Sequence, residues 1–89
     1  MINAVSVKPL DNYLLSVTFN DGQTKICDIR PALDKPVFSP LKNVDLFSRA
    51  YISFGAVAWR DENGEEIDIC PDKLYKIGKA ANEIFAQRN

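Results

Sequence analysis

The chain opens on alternation. Val5 and Val7, then Tyr13, Leu15, Val17 and Phe19, are separated by polar neighbours at a period of two, which predicts strands with one buried face. Lys8-Pro9-Leu10-Asp11-Asn12 between them has turn chemistry, and Asn20-Asp21-Gly22 ends the second segment, since Gly, and less readily Asn and Asp, accept positive φ. A third strand is expected from Gln23 to about Ile29, with Ile26 on its buried face. Three strands joined by short turns predict an antiparallel meander.

The pattern then loosens. Pro31, Pro36 and Pro40 each remove an amide donor and exclude a long helix between Arg30 and Arg49. Pro31 to Leu33 predicts one short turn. Ser39 is a candidate N-cap with Pro40 at the first helical position, and Leu41, Val44 and Phe47 follow on one face, so a short helix is expected from about Pro40 to Arg49. Tyr51 to Arg60 is rich in aromatic and β-branched residues around one Gly, and Ile67 and Ile69 flank Asp68 beyond the acidic turn Asp61-Glu62-Asn63-Gly64-Glu65. These predict a second hairpin with Asn63-Gly64 at its tip.

A C-terminal helix is expected from Pro71, with Asp72 adding charge at its positive end and Leu74, Ile77, Gly78, Ala81, Ile84 and Phe85 forming its apolar stripe. The small Gly78 and Ala81 imply close approach to the sheet, so Gly78→Leu is expected to overpack, at about 1–3 kcal/mol. The predicted fold class is therefore α+β: an antiparallel meander plus a second hairpin, a short helical connector and a C-terminal helix packed on the sheet.

Composition narrows the class. Its 89 residues, 46% hydrophobic and 26% charged, suit one globular domain over 1–89 and are too few for two cores. No apolar run approaches the roughly 18 residues that a membrane helix needs, and Met1-Ile2-Asn3-Ala4 runs into a strand pattern, so the expectation is a cytoplasmic protein without a membrane span. The chain has no histidine, which removes serine–histidine and cysteine–histidine nucleophiles, histidine proton shuttles and most zinc sites. Cys27 and Cys70 are expected as free buried thiols. A net charge of −1 provides no global field for a phosphate backbone, so nucleic acid is disfavoured as a partner.

One set of motifs stands out as an ordered series. Phe19-Asn20-Asp21-Gly22, Asp28-Ile29, Leu41 to Phe47, Val57-Ala58-Trp59 and Asp68-Ile69-Cys70-Pro71-Asp72-Lys73-Leu74-Tyr75 together resemble the DUF2442 family of small bacterial proteins, a domain of unknown function. The resemblance covers roughly residues 3 to 77 and is carried most specifically by Trp59 and the Asp-Ile-x-Pro-x-x-Leu-Tyr segment. It implies a compact α+β fold in a prokaryotic cytoplasm and suggests a binding role, since some members are encoded beside small toxin-antitoxin-like partners. The acidic Asp61 to Glu66 loop and the longer C-terminal helix after Ile77 depart from the family pattern.

Candidate chemistry is sparse. Asp61 to Asp72 holds six acids and no base, but an EF-hand loop begun at Asp61 would place Gly at position six, whereas Gly64 arrives at position four. A solvated hairpin tip explains the same residues. Asp21 suits its turn, and Asp28 and Asp68 are each placed to accept amides from the helical turn that follows. Lys73, Lys76 and Lys79 spread around a helix surface rather than lining one face. No activated nucleophile, phosphate loop or cofactor fingerprint is present, so no catalytic, cofactor or metal residue is assigned and an enzyme is not expected.

What remains is an interaction module with an unidentified protein partner or self-association, as in a homodimer. Trp59 and Arg60, with Tyr51, Phe54 and Tyr75, have the composition of an interface hot spot, although Trp59 reads more simply as core across from Ile67 or Ile69. Leu14 and Ile52 are further candidates, because each lies opposite the assumed core set or in a stretch apolar on both faces. The interaction candidates are thus Leu14, Ile52, Trp59, Arg60 and Tyr75. The competing expectations are an antitoxin-like DNA-associated regulator and a small-ligand or metal binder.

Overall fold

The computed structural model describes residues 1–81. β1 (Ala4–Pro9), β2 (Leu14–Phe19) and β3 (Thr24–Asp28) form the expected antiparallel meander. Val7 pairs with Val17, and Leu15 with Pro9 and Cys27, so Leu15, Val17 and Cys27 share one face with no exposed surface. The pairing shifts between Ala4 and Ser6, a bulge that sends Val5 outward, 54% exposed, and breaks the alternation there. Ile26 is buried, yet it pairs with Ser16 on the opposite face, so Cys27 takes the core position expected of Ile26. A change of one residue in register exchanges the two faces of a strand.

The link from β1 to β2 is a 3-10 turn over Asp11–Tyr13 with Asn12 at φ 62° and Tyr13 at φ 61°. The Asn20-Asp21-Gly22 turn forms as expected: Asp21 Oδ1 accepts the Gln23 amide at 3.0 Å, and the Gly22 amide donates to the Phe19 carbonyl at 2.9 Å.

β4 (Tyr51–Ser53), β5 (Ala56–Arg60) and β6 (Glu66–Ile69) make a second antiparallel sheet. The expected hairpin is thus corrected to three strands, because Phe54-Gly55 divides Tyr51–Arg60 with a two-residue turn. Pairing of Ile52 with Val57, Val57 with Ile69 and Trp59 with Ile67 gathers these residues on the core face. The Ala4 amide donates to the Gly55 carbonyl at 2.7 Å and ties the first sheet to the second.

The proline-broken connector is helical in pieces. Two 3-10 stretches, Arg30–Asp34 and Pro36–Lys42, bury Leu33 and Leu41, and Asp28 Oδ1 accepts the Arg30 amide at 3.0 Å as the first begins. The expected helix from Pro40 to Arg49 shortens to α1 (Val44–Phe47), because Asn43, not Ser39, accepts the capping amide, from Leu46 at 3.2 Å. The Ser39 hydroxyl instead donates to the Pro36 carbonyl.

α2 (Pro71–Ile77) starts at Pro71 as expected and contacts β3. Its beginning is not capped by Asp68, which is exposed, and the Cys70 side chain makes no capping bond. The helix also stops early. Gly78 is extended at φ −70° and ψ 148°, and β7 (Lys79–Ala80) pairs with β3 as the fourth strand of the first sheet. The continuous stripe through Gly78 is therefore corrected: Leu74 is buried, Ile77 is 40% exposed, and Ile84 and Phe85 lie outside the described residues. Crowding at Gly78 remains, for another reason. A Cβ there would stand 2.7 Å from Lys25 Cβ and 3.1 Å from Cys27 Sγ, so a side chain would push β3 away from the helix end. Cys27 is a buried free thiol, but Cys70 is exposed, contrary to expectation. Burial pushes the Cys27 thiol up from 9.0 to about 11, and it stays protonated to donate to the Leu74 carbonyl at 3.3 Å.

Candidate functional site

The five interaction candidates do not form one surface. Trp59 has no exposed area: its indole N–H donates to the Phe47 carbonyl at 2.9 Å and its ring stacks on Phe47 at 5.8 Å. Facing Ile67 across the hairpin places it in the core, where a partner cannot reach it. Ile52 is half-buried on the core face of β4 and packs against the same cluster. Leu14 stands on the face of β2 opposite Leu15 and Val17, half-buried beside Asp28.

Arg60 is exposed but engaged. Its guanidinium donates to the Gly64 carbonyl at 2.8 Å and lies 3.8 Å from Glu66, which also accepts the Tyr51 hydroxyl at 2.7 Å. These contacts fasten β4, β5 and the acidic hairpin together. Tyr75 fastens α2 to the first sheet. Its hydroxyl donates to Asp21 Oδ2 at 2.6 Å and accepts from Gln23 at 3.0 Å, its ring meets Phe19 edge-on at 5.0 Å, and the Lys25 ammonium sits 3.6 Å from the ring centroid. The Tyr75 hydroxyl and the Gln23 amide hold the Asp21 carboxyl below its usual range, and that carboxylate in turn raises Tyr75.

Asp28 and Asp61 also have structural partners. Asp28 is held below its usual range by Arg30, whose Nη2 lies 2.8 Å from Oδ2. Asp61 Oδ1 accepts the amides of Asn63 and Glu65 at 2.9 Å each, which closes the acidic tip. Among the described residues no group of three or more acidic or cysteine side chains is gathered so as to hold a metal. Lys73 and Lys76 lie on α2, whereas Lys79 belongs to β7, so the three do not share a helix as expected.

The aromatic side chain left without a place in the core is Phe54, in the β4–β5 turn. Ser53 pairs with Ala56 around Phe54-Gly55, with Phe54 at φ 50° and Gly55 at φ 79°. Two successive positive φ values define a turn that favours Asn-Gly or Gly-Gly, and a bulky aromatic in its first position carries backbone strain. The Phe54 ring is nevertheless fully exposed. A side chain at Gly55 is strained by φ 79°, and its Cβ would lie 2.5 Å from Asn3 Oδ1, so Asn3 would have to move. The Asn3 backbone amide donates to Asn20 Oδ1 at 3.0 Å, which tethers the amino-terminal segment on which the turn rests. Val5, next to Ala4, adds exposed apolar surface at that end of β1. Phe54 was legible only as one aromatic among several; the Phe-Gly dipeptide between two apolar runs was the available signal.

These elements define a small α+β domain of two antiparallel sheets and short helices, with an aromatic projecting from the turn of the second sheet. The chain belongs to the DUF2442 family, described as a protein of unknown function: the family's model matches residues 4–80. No curated protein and no solved structure shows significant similarity to it. None of the helices among the described residues is long and apolar enough to cross a membrane.

Proposed function

We propose that this protein is a protein–protein interaction module whose contact is centred on Phe54. The observation that supports it is the coincidence of full exposure with positive φ. A strained aromatic raises the free energy of the isolated fold on both counts, and strain of this kind collects at binding and switch regions. Aromatic side chains are also enriched at the centres of interfaces. The module acts by binding rather than turnover, in the cytoplasm, with a protein partner of the toxin-antitoxin-like kind suggested by the family resemblance or with a second copy of itself.

The test is retention of partners by the tagged protein and by Phe54→Asn from lysate of the source cell, with and without nuclease, beside light scattering for mass. A stoichiometric, nuclease-resistant partner or a dimer that the substitution abolishes supports the reading. Partners held equally by both proteins would overturn the role of Phe54, and retention that nuclease removes would favour a DNA-associated regulator.

A further inference from the structure

A second feature, independent of Phe54, lies between the connector and α2. Asp28 to Phe38 and Ile69 to Ile77 enclose an open groove of about 320 Å³, near the lower end of the range for small-molecule sites. Its walls are apolar, from Ile29, Ala32, Phe38, Ile69 and Ile77, and it also carries Lys35 and Lys73.

The two lysines come from separate elements. Lys35 joins the two 3-10 stretches, its amide donating to the Ala32 carbonyl and its carbonyl accepting from Phe38, each at 3.0 Å. Lys73 lies one helical turn before Ile77 on α2, on the same side. Both lysines line the one groove, and the Lys35 ammonium holds Lys73 below its ordinary value. Among the described residues neither lysine has a carboxylate within ion-pair distance. Asp28 borders the groove, but both of its oxygens are taken by Arg30.

An apolar trough with two adjacent cations is complementary to a ligand with an apolar body and one negative end. We propose that this groove binds a small monocarboxylate, with its hydrocarbon chain along Ala32, Phe38 and Ile77, above the buried Ile29 and Ile69, and its carboxylate between the ammonium groups of Lys35 and Lys73. The carboxylate removes the repulsion between the lysines, and the chain covers Ile77. An apolar alcohol satisfies only the walls, and inorganic sulfate only the charges. The apolar amine meets the same cations with a third.

The test is an NMR titration of the labelled full chain with hexanoate, 1-hexanol, hexylammonium and sulfate, following the Ile29, Ile69 and Ile77 methyl groups. Hexanoate is expected to shift these signals saturably in the millimolar range, hexanol to bind about tenfold more weakly and hexylammonium not at all. Lys35→Gln and Lys73→Gln, both at exposed positions, are each expected to weaken hexanoate about tenfold while leaving the remaining spectrum in place. Absence of a saturable shift with hexanoate, equal binding of alcohol and acid, equal binding of sulfate, or unchanged affinity in both variants would each overturn the proposal.

Discussion

Tyr13 and Phe54 are both aromatic residues held at positive φ in turns between strands, and their surroundings are opposite. The Tyr13 ring meets Phe47 edge-on at 5.3 Å and its hydroxyl donates to the Lys42 carbonyl, so the turn aims the side chain at the connector and the core. Phe54 projects into solvent with no comparable contact. Backbone strain of about 1–3 kcal/mol is offset at Tyr13 by packing within the chain. At Phe54 the ring supplies no such packing, and within the chain the turn is held by the bond from the Ala4 amide to the Gly55 carbonyl. The contrast separates a strained aromatic whose ring serves the fold from one whose ring the fold does not use.

The largest way to break the comparison is Gly55→Val. It forces a β-branched residue to φ 79° and drives a side chain into Asn3, and we expect a loss of about 3 kcal/mol in denaturant unfolding. An effect below about 1 kcal/mol would mean that the turn relaxes freely and that its strain carries no information. Tyr13→Asn keeps a residue tolerant of positive φ but removes the ring and the hydroxyl, with an expected loss of about 2 kcal/mol. Phe54→Asn makes the same exchange at the other turn and is expected to gain about 0.5–1 kcal/mol. Should both Asn variants move stability in the same direction, the distinction between the turns fails.

The smallest effect is electrostatic and local. Asp21 has a lowered carboxyl, so what it contributes to the Phe19–Gln23 turn is present above 3.8 and is lost as pH falls through its folded value. The Gln23 amide and the Tyr75 ring signals are expected to titrate together below pH 3.8, while the Gly55 amide, with no carboxylate bonded to its turn, does not. A Gly55 signal that follows the same curve would show the two turns to be coupled.

The meander was legible because Leu15, Val17 and Phe19 alternate cleanly and Asn20-Asp21-Gly22 marks its turn. Register was not: no local pattern says that Cys27 rather than Ile26 faces Leu15, since that depends on how many residues the turn consumes. The splitting of Tyr51–Arg60 was hidden because β4 and β5 are both apolar, so the run shows no change of period at Phe54. α2 read too long for a tertiary reason. Its spacing continues past Gly78, but pairing with β3 gives Lys79 and Ala80 backbone partners that a solvent-exposed helix turn does not offer.

The candidate site was less legible than the fold. Trp59 and Tyr75 have interface composition and internal roles, because large aromatics also fill small cores, and chemistry alone does not distinguish the two uses. Phe54 announces itself only through φ and exposure, which are properties of the folded chain. The groove is assembled from residues 28–38 and 69–77, and the adjacency of Lys35 and Lys73 follows from how the proline-broken connector folds back on α2.

The hydrogen bond from Ala4 to Gly55 has a kinetic consequence. The turns within each sheet form between near neighbours in sequence, whereas this bond closes a loop spanning 51 positions, from 4 to 55, and must wait for both sheets. Contacts made late are absent from the transition state, so their loss accelerates unfolding and leaves the folding rate nearly unchanged. In a chevron plot Gly55→Val is therefore expected to raise the unfolding limb and spare the folding limb. On this expectation the amino-terminal strand acts as a latch on the assembled sheets, and a weaker latch shortens the lifetime of the native state.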